Sequence, residues 1–193
     1  MFCGTRPYDD LHPAGSKAIG LDISNFAGVA DVVSTEFLPF GDDSFDLVIC
    51  TEAFYYVKDP PEAVREIARV LRPGGSVIIT VSLPWEYERG TLEHRYTGPE
   101  LEALFADFDD VRVEENGLYA VSWATLTGRI VFGVEEHVPG LARPVLRPLL
   151  VAAYLAINAI GWVLDWAERH GPRRSHILPM NLILTARRPA AGA

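Results

Sequence analysis

Ser44-Phe-Asp-Leu-Val-Ile-Cys-Thr-Glu-Ala-Phe-Tyr-Tyr-Val57 joins an unbroken apolar run to a cluster of polar and aromatic side chains. Leu47-Val-Ile-Cys-Thr51 is apolar or β-branched throughout and follows the acidic turn Phe40-Gly-Asp-Asp-Ser44. Such a run reads as a strand buried on both faces inside a parallel sheet. Glu52, Phe54, Tyr55 and Tyr56 come next, before a helix begins near Asp59. Ligands of open α/β sheets bind beyond the carboxyl ends of the strands. Thr51, Glu52 and the aromatic residues are therefore the first candidates for function.

Outward from this stretch, strand and helix signals alternate. Upstream, Lys17–Asp22 and Val29–Ser34 read as short strands, and Leu38-Pro-Phe-Gly reads as a loop. Downstream, Asp59 suits an N-cap, Pro60 the first helical position and Glu62 the third residue after the cap. Ala63, Val64, Ile67, Ala68, Val70 and Leu71 keep a helical spacing, with Arg65, Glu66 and Arg69 expected on the solvated side. Pro73-Gly-Gly75 ends that helix and Ser76–Val81 is a second buried strand. Thr97-Gly-Pro-Glu100 is a capping box, and Val111–Glu115 alternates like an exposed strand. This rhythm predicts an α/β fold with a mostly parallel sheet and right-handed crossovers.

Residues 118–176 depart from it. Residues 118–135 are apolar with glycine breaks, and 148–164 are 17 residues without a formal charge. As a helix those residues cover about 25 Å, slightly short for a bilayer crossing. The strands on either side are expected in one sheet, so the chain must return to the side it left. Three readings stand: a lid or core helix in an insertion, which is favoured, a helix lying in a membrane interface, and a true span.

The chain has 193 residues, is 49% hydrophobic and 22% charged, and reads as a single globular domain, 1–193, with 118–176 inserted in it. A net charge of −9 argues against a protein that grips nucleic-acid phosphates. With Cys3 and Cys50 the only cysteines, neither a disulfide framework nor a zinc site is expected, and a reducing cytoplasm fits. His12, His94, His137, His170 and His176 show no paired spacing, so no metal is expected.

Three segments in order, Gly20-Leu-Asp-Ile-Ser24, Phe37-Leu-Pro-Phe-Gly-Asp-Asp-Ser-Phe-Asp-Leu-Val48 and Glu66-Ile-Ala-Arg-Val-Leu-Arg-Pro-Gly-Gly75, resemble the class I S-adenosylmethionine-dependent methyltransferases. The resemblance is to the small-molecule branch that includes ubiquinone-type enzymes, and runs from about residue 3 to 115 and again over 177–189. It implies a Rossmann-like sheet with an antiparallel last strand, a helical insertion before that strand, and S-adenosylmethionine as cofactor. The glycine-rich loop of the family is matched by Cys3-Gly4-Thr5, with Arg6-Pro7 where its last glycine stands; the strand before it is expected to be missing.

By the same resemblance, Gly4 meets the methionine portion of the cofactor. Asp22 takes the two ribose hydroxyls, since a carboxylate offers two acceptor oxygens to a vicinal diol, and Ile23 lies along the adenine. Ser34, Thr35 and Glu36 stand where the family grips the adenine amine, with Ser34 replacing its acidic residue. Thr51 and Glu52 end the strand beside the sulfonium, and Glu52, Phe54 and Tyr55 face the acceptor. Asp31 reads as an exposed strand residue, and the run His94-Arg95-Tyr96 as structural. Methyl transfer requires alignment of two reactants and exclusion of water, and a base only when the acceptor must lose a proton. The expected function is methyl transfer to a small or lipophilic acceptor selected by the apolar insertion, in the cytoplasm and in possible peripheral contact with a membrane through 148–164. The alternative is a methyltransferase-like binding protein without turnover.

Overall fold

A computed structural model describes residues 6, 14–25, 28–34, 37–84, 90–140, 142–171 and 179–190. The chain divides into two compact units, one drawn from 1–81, 87–114 and 182–193, the other from 82–86 and 115–181.

The first unit is built on two sets of strands. β1 (Leu21–Asp22) pairs in parallel with β2 (Val32–Val33), so the two upstream strands are shorter than the sequence suggests. Ahead of β2, the Asp31 carboxylate accepts the Gly20 amide at 2.7 Å and the Arg6 guanidinium at 2.7 Å. It is a tie between the strand entrances rather than a free surface residue. The larger sheet has the order β3 (Phe45–Thr51), β4 (Leu71–Ser82), β6 (Asn181–Arg187), β5 (Asp109–Asn116). β3 and β4 are parallel, with Thr51 opposite Thr80. Gly74 N donates to Arg188 O and Leu83 N to Met180 O, so β6 runs antiparallel to β4. The antiparallel last strand is where the resemblance puts it; the strand expected to be missing concerns residues outside those described.

β3 is not covered on both faces. Val48 and Cys50 are buried, but Asp46 and Leu47 are exposed, because β3 is the end strand of its sheet.

α1 (Pro60–Val70) begins as its sequence dictates, with Asp59 Oδ1 accepting the Glu62 amide at 3.1 Å. Ala63, Val64, Ile67 and Val70 are buried on one side. Glu66 is buried with them, against expectation. Its carboxylate accepts the Leu38 amide at 3.0 Å and Arg69 Nε at 2.7 Å, while Arg69 also donates to Phe40 O, Leu38 O and Asp42. The two side chains bind the Leu-Pro-Phe loop to the helix. The helix gives way directly to β4 through Arg72–Gly75, where the ladder to β3 shifts register. Gly74 has φ of +79°, and a Cβ on Gly75 would sit 2.8 Å from Arg72 O. The first requires left-handed backbone and the second leaves no room for a side chain. α2 (Gly98–Leu104) carries the full capping box between Thr97 and Glu100, and buries Leu101.

The second unit is a helical hairpin, α3 (Tyr119–His137) and α4 (Arg143–His170). Ala120 N donates to Glu168, Gly161 faces Ala124, and Phe132 packs edge-on to Tyr154, so the helices are antiparallel. The glycines read as breaks lie inside α3. Gly128 is there for packing, since its Cβ would lie 3.0 Å from the Tyr154 ring. A hairpin returns the chain by itself, which removes the objection that an apolar helix here has no way back.

Candidate functional site

Of the residues expected at the site, Asp22, Ile23, Ser34, Thr51 and Glu52 fall at the ends of strands in the first unit or just beyond them. Thr51 closes β3 half-buried, and Glu52 follows with φ of 53°. A left-handed backbone costs a residue with a side chain about 1–2 kcal/mol. Thr80 holds it there: the Glu52 amide donates to Thr80 O at 2.9 Å and to its Oγ1 at 3.0 Å, and Oγ1 donates back to Glu52 Oε1 at 2.8 Å. The result is an exposed carboxylate with a fixed direction at the carboxyl end of the sheet.

The short 3-10 turn Phe54–Tyr56 follows. Phe54 is fully buried between Tyr96 and Phe105, with ring centroids at 5.8 and 6.1 Å, so it serves the core rather than an open wall. Tyr55 is nearly as buried; burial first, then Tyr56 and Glu52, push its phenol well above the ordinary range, so it stays protonated. The Arg95 guanidinium lies 5.7 Å over the Tyr55 ring, and Arg95 pairs with Glu93 at 2.7 Å. The His94 amide donates to Tyr55 O at 2.8 Å, binding the 3-10 turn to the segment before α2.

That segment, read from the sequence only as structural, holds two polar atoms of interest. Tyr96 Oη and His94 Nε2 are buried, and neither has a hydrogen-bond partner among the described residues. Their rings stack at 5.7 Å. Burial also raises the Tyr96 phenol, which stays a neutral donor. Buried polar atoms are nearly always paired, and an unpaired one costs about 1–3 kcal/mol. No spacing signal marks these two; only the fold brings them beside Phe54 and Tyr55. Cys50, buried beneath, has its thiol pushed up to about 11 by burial, which suits a packing residue and not a nucleophile.

Asp22 ends β1 half-buried, and its Oδ1 accepts the Ile23 amide at 2.7 Å and the Ser24 amide at 3.4 Å. This turn fixes the direction of the carboxylate. Ile23 is 56% exposed, an apolar surface beside it. Ser34 follows β2 and donates its hydroxyl to Phe37 O at 2.7 Å, with its lone pairs remaining as acceptors. Gly4, Thr35 and Glu36 lie outside the described residues. Arg6, at the place of the family's last glycine, has φ of 55°, the left-handed region that glycine enters freely. No cluster of metal-ligating side chains occurs among the described residues.

Residues 3–79 match the family model of a methyltransferase domain. The chain is 30% identical over 151 residues to a fatty-acid O-methyltransferase of Mycolicibacterium smegmatis, covering 78% of this chain and 45% of that protein. It is 40% identical over 63 residues to the methyltransferase GfsG of Streptomyces halstedii, covering 33% of this chain and 21% of the relative. The chain thus spans less than half the length of either. Among solved structures it resembles a chain from a Haloferax volcanii complex of a methyltransferase with a methyltransferase activator, at a TM-score of 0.58 and 22% identity over 97% of this chain and 80% of that one. It also resembles the [4+2]-cyclase SpnF, at a TM-score of 0.55 and 21% identity over 98% of this chain and 73% of that one. These likenesses establish the Rossmann-like fold, and the second shows that the fold alone does not name a reaction.

Proposed function

We propose that this chain, whose residues 3–79 match the family model of a methyltransferase domain, is a class I S-adenosylmethionine-dependent methyltransferase and transfers a methyl group from S-adenosylmethionine to a small or lipophilic acceptor. The observation that carries the reading is Glu52, held left-handed by Thr80 at the carboxyl end of β3. Strain of this kind collects at functional sites, and this end of an α/β sheet is where ligands bind.

The residues present fit the cofactor. Asp22 presents a half-buried, directed carboxylate suited to the ribose diol, Ile23 an apolar surface suited to the adenine, and Ser34 an acceptor for its amine. Thr51 and Glu52 stand for the sulfonium end, where a carboxylate favours positive charge. Gly4, Thr35 and Glu36 complete the set in the family's pattern. When bound, S-adenosylmethionine supplies an electrophilic methyl whose carbon–sulfur bond breaks to a neutral thioether as the acceptor's lone pair makes the new bond.

The M. smegmatis relative is named for fatty acids, and we extend that class to this chain: an apolar acceptor ending in an oxygen nucleophile. Tyr96 Oη and His94 Nε2 are the groups to hold such an oxygen, beside Tyr55, whose carbonyl accepts the His94 amide. A carboxylate acceptor is already deprotonated near neutral pH, so it needs no general base. The site correspondingly works by alignment.

Calorimetry with S-adenosylmethionine, followed by transfer of labelled methyl to long-chain fatty acids and to polar acceptors, tests this. Binding with label in the fatty-acid methyl ester supports it; binding with label only in polar acceptors overturns the acceptor class. A second reading, a binding protein without turnover, is favoured by Arg6 in the glycine loop. Cofactor binding with no transfer to any acceptor selects it.

A further inference from the structure

The hairpin of the second unit has an apolar surface far beyond what its own packing uses. From Pro148 to Leu164, α4 carries no formal charge. Of the whole helix only Gly161 is buried. Leu149, Leu155, Trp162 and Val163 are 64, 62, 72 and 55% exposed. At 3.6 residues per turn these four, with Val151 and Ile160, spread over about half the circumference, on the side away from Tyr154 and Gly161, which face α3. The one amide in the run, Asn158, turns its Nδ2 onto Tyr154 O at 2.8 Å. A monomer's apolar side chains are normally scattered, and a contiguous patch of this kind marks an interaction surface.

Three features decide what covers it. The exposed arc covers about half the helix along its full apolar length, a surface that fluid acyl chains close around. The run is about 25 Å long, bracketed by Arg143 and Arg147 before it and by Asp165, Glu168 and Arg169 after it, with Trp162 and Trp166 at the second end. Apolar length, flanking arginines and terminal tryptophans are the pattern of a segment at a bilayer boundary. Finally, α3 adds exposed charged and polar groups, Arg129, Glu136 and His137, beside further exposed apolar side chains, Leu126, Ile130 and Val134. The charged groups at both ends of the α4 run and on α3 give the hairpin polar borders beside its apolar surface, which suits a helix lying in an interface.

We propose that the α3–α4 hairpin docks on a lipid bilayer, with the outer side of α4 sunk among the acyl chains. The proposal does not depend on the methyltransferase reading, since it concerns the second unit alone and is read without cofactor or acceptor.

The test is flotation of the full chain with vesicles of phosphatidylcholine and of phosphatidylcholine with phosphatidylglycerol, beside the triple variant L149E/L155E/W162E. All three positions point away from α3, so the hairpin persists; helical content by circular dichroism checks this. The expected result is that the wild type floats with both vesicles, more with the anionic ones, and that the variant floats at least tenfold less. Brominated acyl chains are expected to quench wild-type tryptophan emission. Three results overturn the proposal: absence of wild-type flotation, equal flotation of a folded variant, or retention in membranes after alkaline extraction, which indicates a span. A wild-type dimer that becomes monomeric in the variant, without vesicle binding, assigns the surface to a second copy.

Discussion

Arg69 donates its Nε to the buried carboxylate of Glu66 at 2.7 Å and, with the rest of its guanidinium, closes on the carbonyls of Leu38 and Phe40. The glutamate takes the Leu38 amide and the arginine one turn along takes the Leu38 and Phe40 carbonyls, so the pair together holds the loop. The spacing that resembles the family is, physically, a loop clamp. It ties Leu38, Phe40 and Asp42, in the chain leading to β3, to α1.

Removing the guanidinium leaves Glu66 buried with only the Leu38 amide. Arg69→Ala is expected to destabilise the chain by about 2–3 kcal/mol, the usual cost of leaving a buried charge under-satisfied. Glu66→Gln keeps an acceptor for Leu38 and is expected to cost about half as much. Urea unfolding of the two variants checks the order; equal costs, or a milder Arg69→Ala, refute the clamp.

The same pair sets an acid limit. Hydrogen bonding to Arg69, above all, and then the Leu38 amide hold the Glu66 carboxyl below its ordinary value against the opposing effect of burial. The unfolded chain therefore binds this proton at a higher pH than the folded one. The stabilisation is complete above the ordinary glutamate range, about pH 4.3, and is lost as pH falls through the folded value. Asp31 and Glu100 are lowered likewise, by the Gly20 amide and by the Thr97 amide. Urea midpoints between pH 7 and pH 3 are expected to fall below about pH 4.5, with a shallower fall in Glu66→Gln.

Much of this frame is legible in the residues. Asp59, Pro60 and Glu62 announce α1, and Thr97 with Glu100 announces α2, because caps are local chemistry. The parallel pairing of β3 and β4 follows from two apolar runs around a helix. What was not legible depends on partners distant in sequence. Glu66 reads as a solvated helix residue until Leu38, 28 positions earlier, donates to it. Gly128 reads as a break until Tyr154 arrives against it. Tyr96 and His94 stand in a run that reads as structural, and their interest lies in having no hydrogen-bond partner among the described residues.

Glycines separate close packing from helix propensity. A Cβ on Gly75 meets Arg72 O at 2.8 Å and Asp46 O at 3.2 Å, both backbone atoms that cannot turn aside. Gly75→Ala is expected to cost about 1–3 kcal/mol. Gly133, inside α3, has nothing within 4 Å of its added Cβ, so Gly133→Ala is expected to stabilise by up to about 1 kcal/mol. Thermal unfolding of both, read as opposite shifts from the wild type, is the check.

Tyr96 distinguishes a binding group from a packing cost. Its hydroxyl is buried without a partner among the described residues, so its removal deletes an unpaid desolvation penalty and no hydrogen bond. Tyr96→Phe is therefore expected to leave stability unchanged or raise it by about 1 kcal/mol. If the hydroxyl holds the acceptor's oxygen, the same change is expected to raise KM for the acceptor about tenfold, the equivalent of about 1.4 kcal/mol, with cofactor affinity unaltered. Unfolding, cofactor calorimetry and acceptor kinetics on one variant give the answer. A more stable variant with unchanged KM makes the hydroxyl a tolerated defect of the core, and a less stable one shows that it has a structural partner.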